Sequence, residues 1–124
     1  MYHTINQQDL DFFESLLQDR CKSDLTTREA YNHDYTEDLH FTPCVVLLPQ
    51  NTQEVSQILA YCNKNNIPVT PSGARTGLSG GCLPIHGGVL LSSENLNQII
   101  EIDEKNAQVI TEPGVITEAL QNAV

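Results

Sequence analysis

The sequence predicts an α+β fold, a small and mostly parallel sheet with helices against it, and three patterns carry that reading. A strand–helix–strand unit runs over residues 44–70. Further strand-like runs at 88–92, 99–103 and 108–112 follow it, the last two joined by hairpin turn composition at 103–106. Ahead of the unit stands a helical extension over residues 1–41.

In the extension, Leu10, Phe13, Leu16 and Leu17 recur at helical spacing, and Thr4 or Asn6 is placed to cap the start. Residues 21–41 are polar and irregular, with a second short helical stretch around 27–31. Cys44-Val-Val-Leu-Leu48 is continuous, apolar and fenced by Pro43 and Pro49, which reads as a strand buried on both faces. Asn51 with Glu54 three residues on is a capping pattern. Val55, Ile58, Leu59 and Cys62 then mark one buried stripe of a helix running to about Asn65. Residues 67–70 begin the second strand, expected parallel to the first through a right-handed crossover. A last amphipathic helix starts near Ile116 or Thr117 and is still running at Val124, which predicts a truncated chain, the front part of something longer.

Composition bounds the function classes. At 124 residues the chain holds one core, and 16 acidic against 6 basic residues give a formal net charge of −10. That field repels nucleic acid and anionic membrane, so neither is an expected partner. No apolar stretch has the length of a membrane span. Residues 1–6 carry neither a basic nor an apolar signal region, and Cys21, Cys44, Cys62 and Cys82 form no C-x-x-C, so a cytoplasmic, reducing location is expected.

The chemistry concentrates in Pro71-Ser-Gly-Ala-Arg-Thr-Gly-Leu-Ser-Gly-Gly81, which holds four of the seven glycines. Such a segment can turn successive backbone N–H groups toward an anion, because glycine accepts positive φ and lets a ligand approach closely. Ser72, Thr76 and Ser79 add hydroxyls, and Arg75 is the one cation in the loop. There is no lysine for a triphosphate loop, and the loop leads to a strand rather than to the helix of a dinucleotide turn. A tight structural connection is the plainer alternative. A phosphate-bearing ligand is favoured, because structural turns rarely run to so many residues of this kind.

The stretch from Thr42 to Gly114 resembles the first subdomain of the FAD-binding domain of the p-cresol methylhydroxylase/vanillyl-alcohol oxidase superfamily, in its glycolate oxidase and D-lactate dehydrogenase branch. Pro43 to Pro49, Asn51-Thr-Gln-Glu-Val55, Ile67-Pro-Val69, Ser72 to Gly81, Gly88-Val-Leu-Leu91, Ile99-Glu-Ile-Asp103 and Glu112-Pro-Gly-Val115 carry the likeness. Upstream, Tyr31-Asn-His-Asp-Tyr-Thr-Glu-Asp38 resembles the segment leading into that domain. The resemblance implies FAD as cofactor, its pyrophosphate held at Ser72, Gly73, Ala74, Arg75, Thr76, Gly77, Ser79 and Gly80, with Pro113 and Gly114 near it. It divides the chain into an extension (1–41) and the first part of a flavin domain (42–124). It also implies an enzyme that oxidises a 2-hydroxy acid to a 2-oxo acid in the complete protein. No residue of this chain can be assigned as base, acid or substrate clamp, and the chain alone is expected to be inactive and to bind FAD weakly or not at all.

Arg75 departs from the family, where a small residue or Asn is common. It would either bind phosphate or pair with an acidic neighbour. His33, Asp34, Glu37, Asp38 and His40 have metal-ligand chemistry but match no closed site, and a solvated acidic segment is the preferred reading, so no metal is expected. His86 reads as a turn residue, Cys82 as a packing residue, and Tyr31 and Tyr35 as structural. The alternative function is a non-catalytic module that binds flavin weakly, self-associates or pairs with a second chain through an exposed half-domain face.

Overall fold

The computed structural model describes residues 1–36 and 38–124. Helix α1 (Gln7–Leu17) starts on a capping box. The Asn6 side chain accepts from the Asp9 amide and the Asp9 carboxylate from the Asn6 amide. It ends where Gln18 takes φ 55° and ψ −123°, a conformation that helix geometry cannot continue. Phe13 and Leu17 are fully buried, as the spacing predicts. A short 3-10 turn (Gln18–Arg20) leads to β1 (Cys21–Lys22), and Asp24 caps α2 (Leu25–Ala30).

Strand β2 (Val45–Leu47) is buried throughout, and α3 (Thr52–Lys64) is capped by Asn51 accepting from the Glu54 amide at 2.8 Å. The buried stripe of α3 is rotated from the predicted one: it is Glu54, Ile58 and Cys62, while Leu59 is 45% exposed. The cause is a long-range ion pair. Arg20 grips Glu54 with both terminal nitrogens at 2.7 Å, so a carboxylate takes a place on the buried face.

Strands β3 (Val69–Ser72) and β4 (Val89–Ser92) complete a four-stranded sheet of order β1-β2-β4-β3, parallel except at β1. The two strands of the strand–helix–strand unit are thus not neighbours, because β4 lies between them. Gly88 makes the insertion. Its carbonyl accepts from the Cys44 and Val45 amides, and the next amide, Val89, donates to Pro68. With φ +68° and the Pro68 carbonyl 2.4 Å from where a Cβ would stand, only glycine fits.

Phe13 and Leu17 of α1 and Ile58 and Cys62 of α3 bury against Val45, Leu47 and Val89 in one core. The first 41 residues therefore contribute a helix and an edge strand to the same core as the rest. Strands β5 (Ile99–Asp103) and β6 (Gln108–Thr111) form a separate antiparallel hairpin, followed by α4 (Thr117–Ala123). Among the described residues no helix is long and apolar enough to cross a membrane.

Candidate functional site

The glycine-rich loop leaves the carboxyl end of β3, and the β4–β5 turn leaves the carboxyl end of its neighbour, in register at Ser72 and Ser92. Ligands of open parallel sheets collect at such carboxyl ends. The two loops are tied together, since the Ser72 carbonyl accepts from the Ser93 amide at 2.9 Å and from its hydroxyl at 3.3 Å. Beyond that tie, the backbone N–H groups from Gly73 through Ser79 donate to no protein acceptor among the described residues. Seven successive free donors in a glycine-rich bend are the raw material of an anion cradle.

Facing the loop, Glu112-Pro113-Gly114 folds back onto the β4–β5 turn. The Gly114 amide donates to Leu96 at 2.6 Å, and a Cβ there would lie 2.0 Å from the Ser93 carbonyl. A cleft of about 850 Å³ results, with Gly73, Ala74, Arg75 and Thr76 on one wall and Pro113, Gly114 and Ile116 on the other. Gly77 and Ser79 line a shallower hollow on the far side of the loop, beside Asp34. Gly80 faces neither, because its amide donates to Asp34 at 3.1 Å. Ser72 is 4% exposed, its buried hydroxyl has no partner, and the residue lines a small apolar recess that shares Gly73, Ser93 and Pro113 with the cleft.

Arg75 is the one cation lining the cleft among the described residues. Its guanidinium sits 4.1 Å from the Tyr31 ring centre and 3.5 Å from Glu94, so the structure shows the acidic pairing of the two alternatives. Tyr31 in turn donates to Glu94 at 2.5 Å, and burial together with that carboxylate pushes its phenol above the usual range. Burial and Asp34 likewise raise the Cys82 thiol, and burial raises Cys21 and Cys62 to about 11, so none of these is a ready nucleophile. No group of three metal-ligating side chains occurs among the described residues, and Glu37 lies outside them.

A family profile described as an FAD binding domain matches residues 43–124. The chain belongs to the FAD binding domain family. Glycolate oxidase subunit GlcD of Bacillus subtilis is 41% identical over 97 residues, covering 78% of this chain and 21% of the relative. D-2-hydroxyglutarate dehydrogenase, mitochondrial, of Danio rerio is 34% identical over 98% of this chain and 23% of its own length. D-lactate dehydrogenase of Anaerostipes hadrus is 41% identical over 71% of this chain and 20% of its own length. The chain thus spans between a fifth and a quarter of these relatives. Among solved structures, a 4-ethylphenol oxidase of Gulosibacter chungangensis superposes with TM-score 0.84 at 28% identity, over 100% of this chain and 26% of that one. p-Cresol methylhydroxylase superposes at 0.82 with 21% identity, covering 99% and 26%. The architecture is that of the first part of a p-cresol methylhydroxylase-type FAD domain, found in FAD-linked oxidoreductases.

The residues fit that cofactor. The free amides and the unpartnered Ser72 hydroxyl offer donors in a chain otherwise strongly acidic, and Gly73 and Gly77 leave open the space where a Cβ would stand. Three features escaped the sequence reading. The Ser93–Asn97 turn escaped although it follows a strand end; knowing that β4 sits beside β3 would have exposed it. Asp34 behind the loop and the Tyr31–Glu94 bond join residues 46 and 63 positions apart, and carry no local signal.

Proposed function

We propose that this chain supplies the pyrophosphate-binding part of an FAD-linked oxidoreductase that oxidises a 2-hydroxy acid, of the glycolate or D-lactate type, to a 2-oxo acid. The observation that carries it is the run of free N–H groups from Gly73 to Ser79, of which Gly73 through Thr76 line a cleft shared with Pro113 and Gly114. In this reading Ser72 through Thr76 and Gly77, Ser79 and Gly80 form or shape the diphosphate cradle. Residues 42–124 are the first part of the flavin domain, and residues 1–41 the extension that buttresses it. FAD, when bound, would supply the hydride acceptor for such an oxidation, the hydroxyl proton going to a base.

The chain's own residues bind and orient. Donors fixed by the fold need no reorganisation when the diphosphate arrives, which is where preorganisation gains affinity. The base and the substrate clamp belong, in this reading, to the remaining three quarters of a relative-sized protein. Four free thiols agree with a reducing compartment, the cytoplasm being the simplest assignment. Exposed Ile100, Ile110 and Ile116 on the hairpin and beside α4 favour a second reading in which this face packs against another chain or copy.

Flavin-fluorescence titration of the purified chain, with Gly77→Val beside it, tests the main reading. A Cβ at Gly77 meets only the Asp34 carboxylate at 3.9 Å, an ordinary contact, so valine adds bulk to the loop without a backbone clash. Binding no tighter than micromolar, about −8 kcal/mol, and lost in Gly77→Val, is the expected result. Affinity unchanged by valine would exclude the loop as the cradle.

A further inference from the structure

The family match begins at residue 43, yet the loop is held from behind by residues before it. Asp34 is 6% exposed and spends both carboxylate oxygens there: one accepts from the Thr36 amide at 2.7 Å, the other from Gly80 at 3.1 Å. One residue on, the Tyr35 amide donates to the Gly77 carbonyl at 3.0 Å. Tyr31 then offers its ring face to the Arg75 guanidinium and its hydroxyl to Glu94, on the opposite lip of the cleft. Residues 75, 77 and 80 are thus each fixed by the segment 31–35.

The loop needs such restraint. Arg75 adopts φ +58° and Gly80 +73°, and for arginine the left-handed region costs on the order of 1 kcal/mol. Seven backbone donors without partners also leave the loop almost no hydrogen bonds of its own. Held at its rear by carbonyl and amide contacts, it keeps its front donors free. An ionised Asp34 suits this role. Burial opposes the charge, but the Thr36 and Gly80 amides outweigh burial and hold the carboxyl below its usual range.

We infer that Asp34 and Tyr31 are positioning residues for a diphosphate-bearing ligand, acting through the loop: Asp34 fixes its end at Gly80 and Tyr31 fixes Arg75 at the cleft. This rests on the cradle reading above and adds that the cradle is shaped by a segment outside the matched domain. The aromatic face confines the guanidinium, whereas the long, exposed contact to Glu94 is too weak to hold it against a phosphate.

The test compares wild type, Asp34→Ala, Tyr31→Ala, Tyr31→Phe and Gly77→Val by amide exchange, urea midpoint and titration with FAD and inorganic pyrophosphate. In Asp34→Ala the Gly80 amide exchanges at least tenfold faster while amides of α3 and β4 and the urea midpoint hold, because only the two local bonds to the Thr36 and Gly80 amides are lost. Where wild type binds either ligand, Asp34→Ala and Tyr31→Ala weaken it about tenfold and Tyr31→Phe, which keeps the ring, restores most of that. Gly77→Val blocks binding through the loop itself, with no backbone clash to unfold it. A Gly80 amide unchanged in Asp34→Ala overturns the inference, whether or not the chain holds FAD by itself. Exchange that rises equally everywhere overturns it too, since Asp34 would then be a general stabiliser. Binding untouched by Gly77→Val while Gly80 is released strikes the cradle reading instead.

Discussion

The two halves of the molecule are held together by different means. Around β2 and β4, seven apolar side chains from α1, α3 and the sheet (Phe13, Leu17, Val45, Leu47, Ile58, Cys62 and Val89) are at most 1% exposed and interlock in one core. In the hairpin and α4, no residue is fully buried, and Ile100, Ile110 and Ile116 stand more than half exposed. That half is attached by backbone: Glu112 to Gln98, Gly114 to Leu96, and the close seat of Gly114 on Ser93. Side-chain burial sets whether the chain folds, and backbone contacts set whether the cleft has two walls. Global stability and site integrity are therefore separable properties here.

The sharpest break in that comparison is Phe13→Ala. With the ring wholly buried, its loss is expected to cost about 3–5 kcal/mol, read as a fall in the urea midpoint by circular dichroism. A loss under about 1 kcal/mol would mean that α1 is an accessory rather than part of the core.

Acid provides a second, intermediate test through Glu54. Arg20 holds its carboxyl below the ordinary 4.5, with burial opposing and the Gln50 amide assisting. A depressed carboxyl stabilises the fold fully above its unfolded value and loses that contribution as pH falls through the folded one. Stability is thus expected to stay level down to about pH 5 and to decline below 4.5. Glu54→Gln removes roughly 2 kcal/mol at neutral pH and flattens that acid limb. An equally steep limb in the variant would assign the acid sensitivity to Asp9 or Asp34, whose carboxyls are also depressed.

The smallest global effect is expected where the local one is greatest. Gly114→Ala places a Cβ 2.0 Å from the Ser93 carbonyl, so the segment must lift from the β4–β5 turn. Amides of residues 108–123 then exchange faster while those of α3 keep their protection, and the urea midpoint moves by less than about 1 kcal/mol equivalent. Loss of α3 protection as well would show the two halves to be one cooperative unit.

Much of this was readable from local chemistry. The Asn51 cap, the apolar run between two prolines, the hairpin and the glycine-rich loop each declare themselves within a few residues. The unread parts depend on distant partners. Nothing near Glu54 says that Arg20 will bury it at the expense of Leu59, and β1 is only two residues long. The place of β4 between β2 and β3 follows from one glycine meeting Pro68 across the sheet. At the site, the loop was visible but its rear support was not, because Asp34 sits in a polar segment that reads as solvated and is instead almost fully covered.

The displacement of β3 to the rim of the sheet bears on how the protein behaves in concentrated solution. Carbonyls of Pro68 and Ser72 both face β4, so by strand alternation Val69 and Pro71 direct their main-chain groups outward. Proline in that place removes no bond from the sheet and leaves an incoming strand one donor short. At the other rim, the two-residue β1 offers too short a template. Both margins are blunted, and edge-to-edge aggregation through the main sheet is suppressed by the same strand that opens the glycine-rich loop.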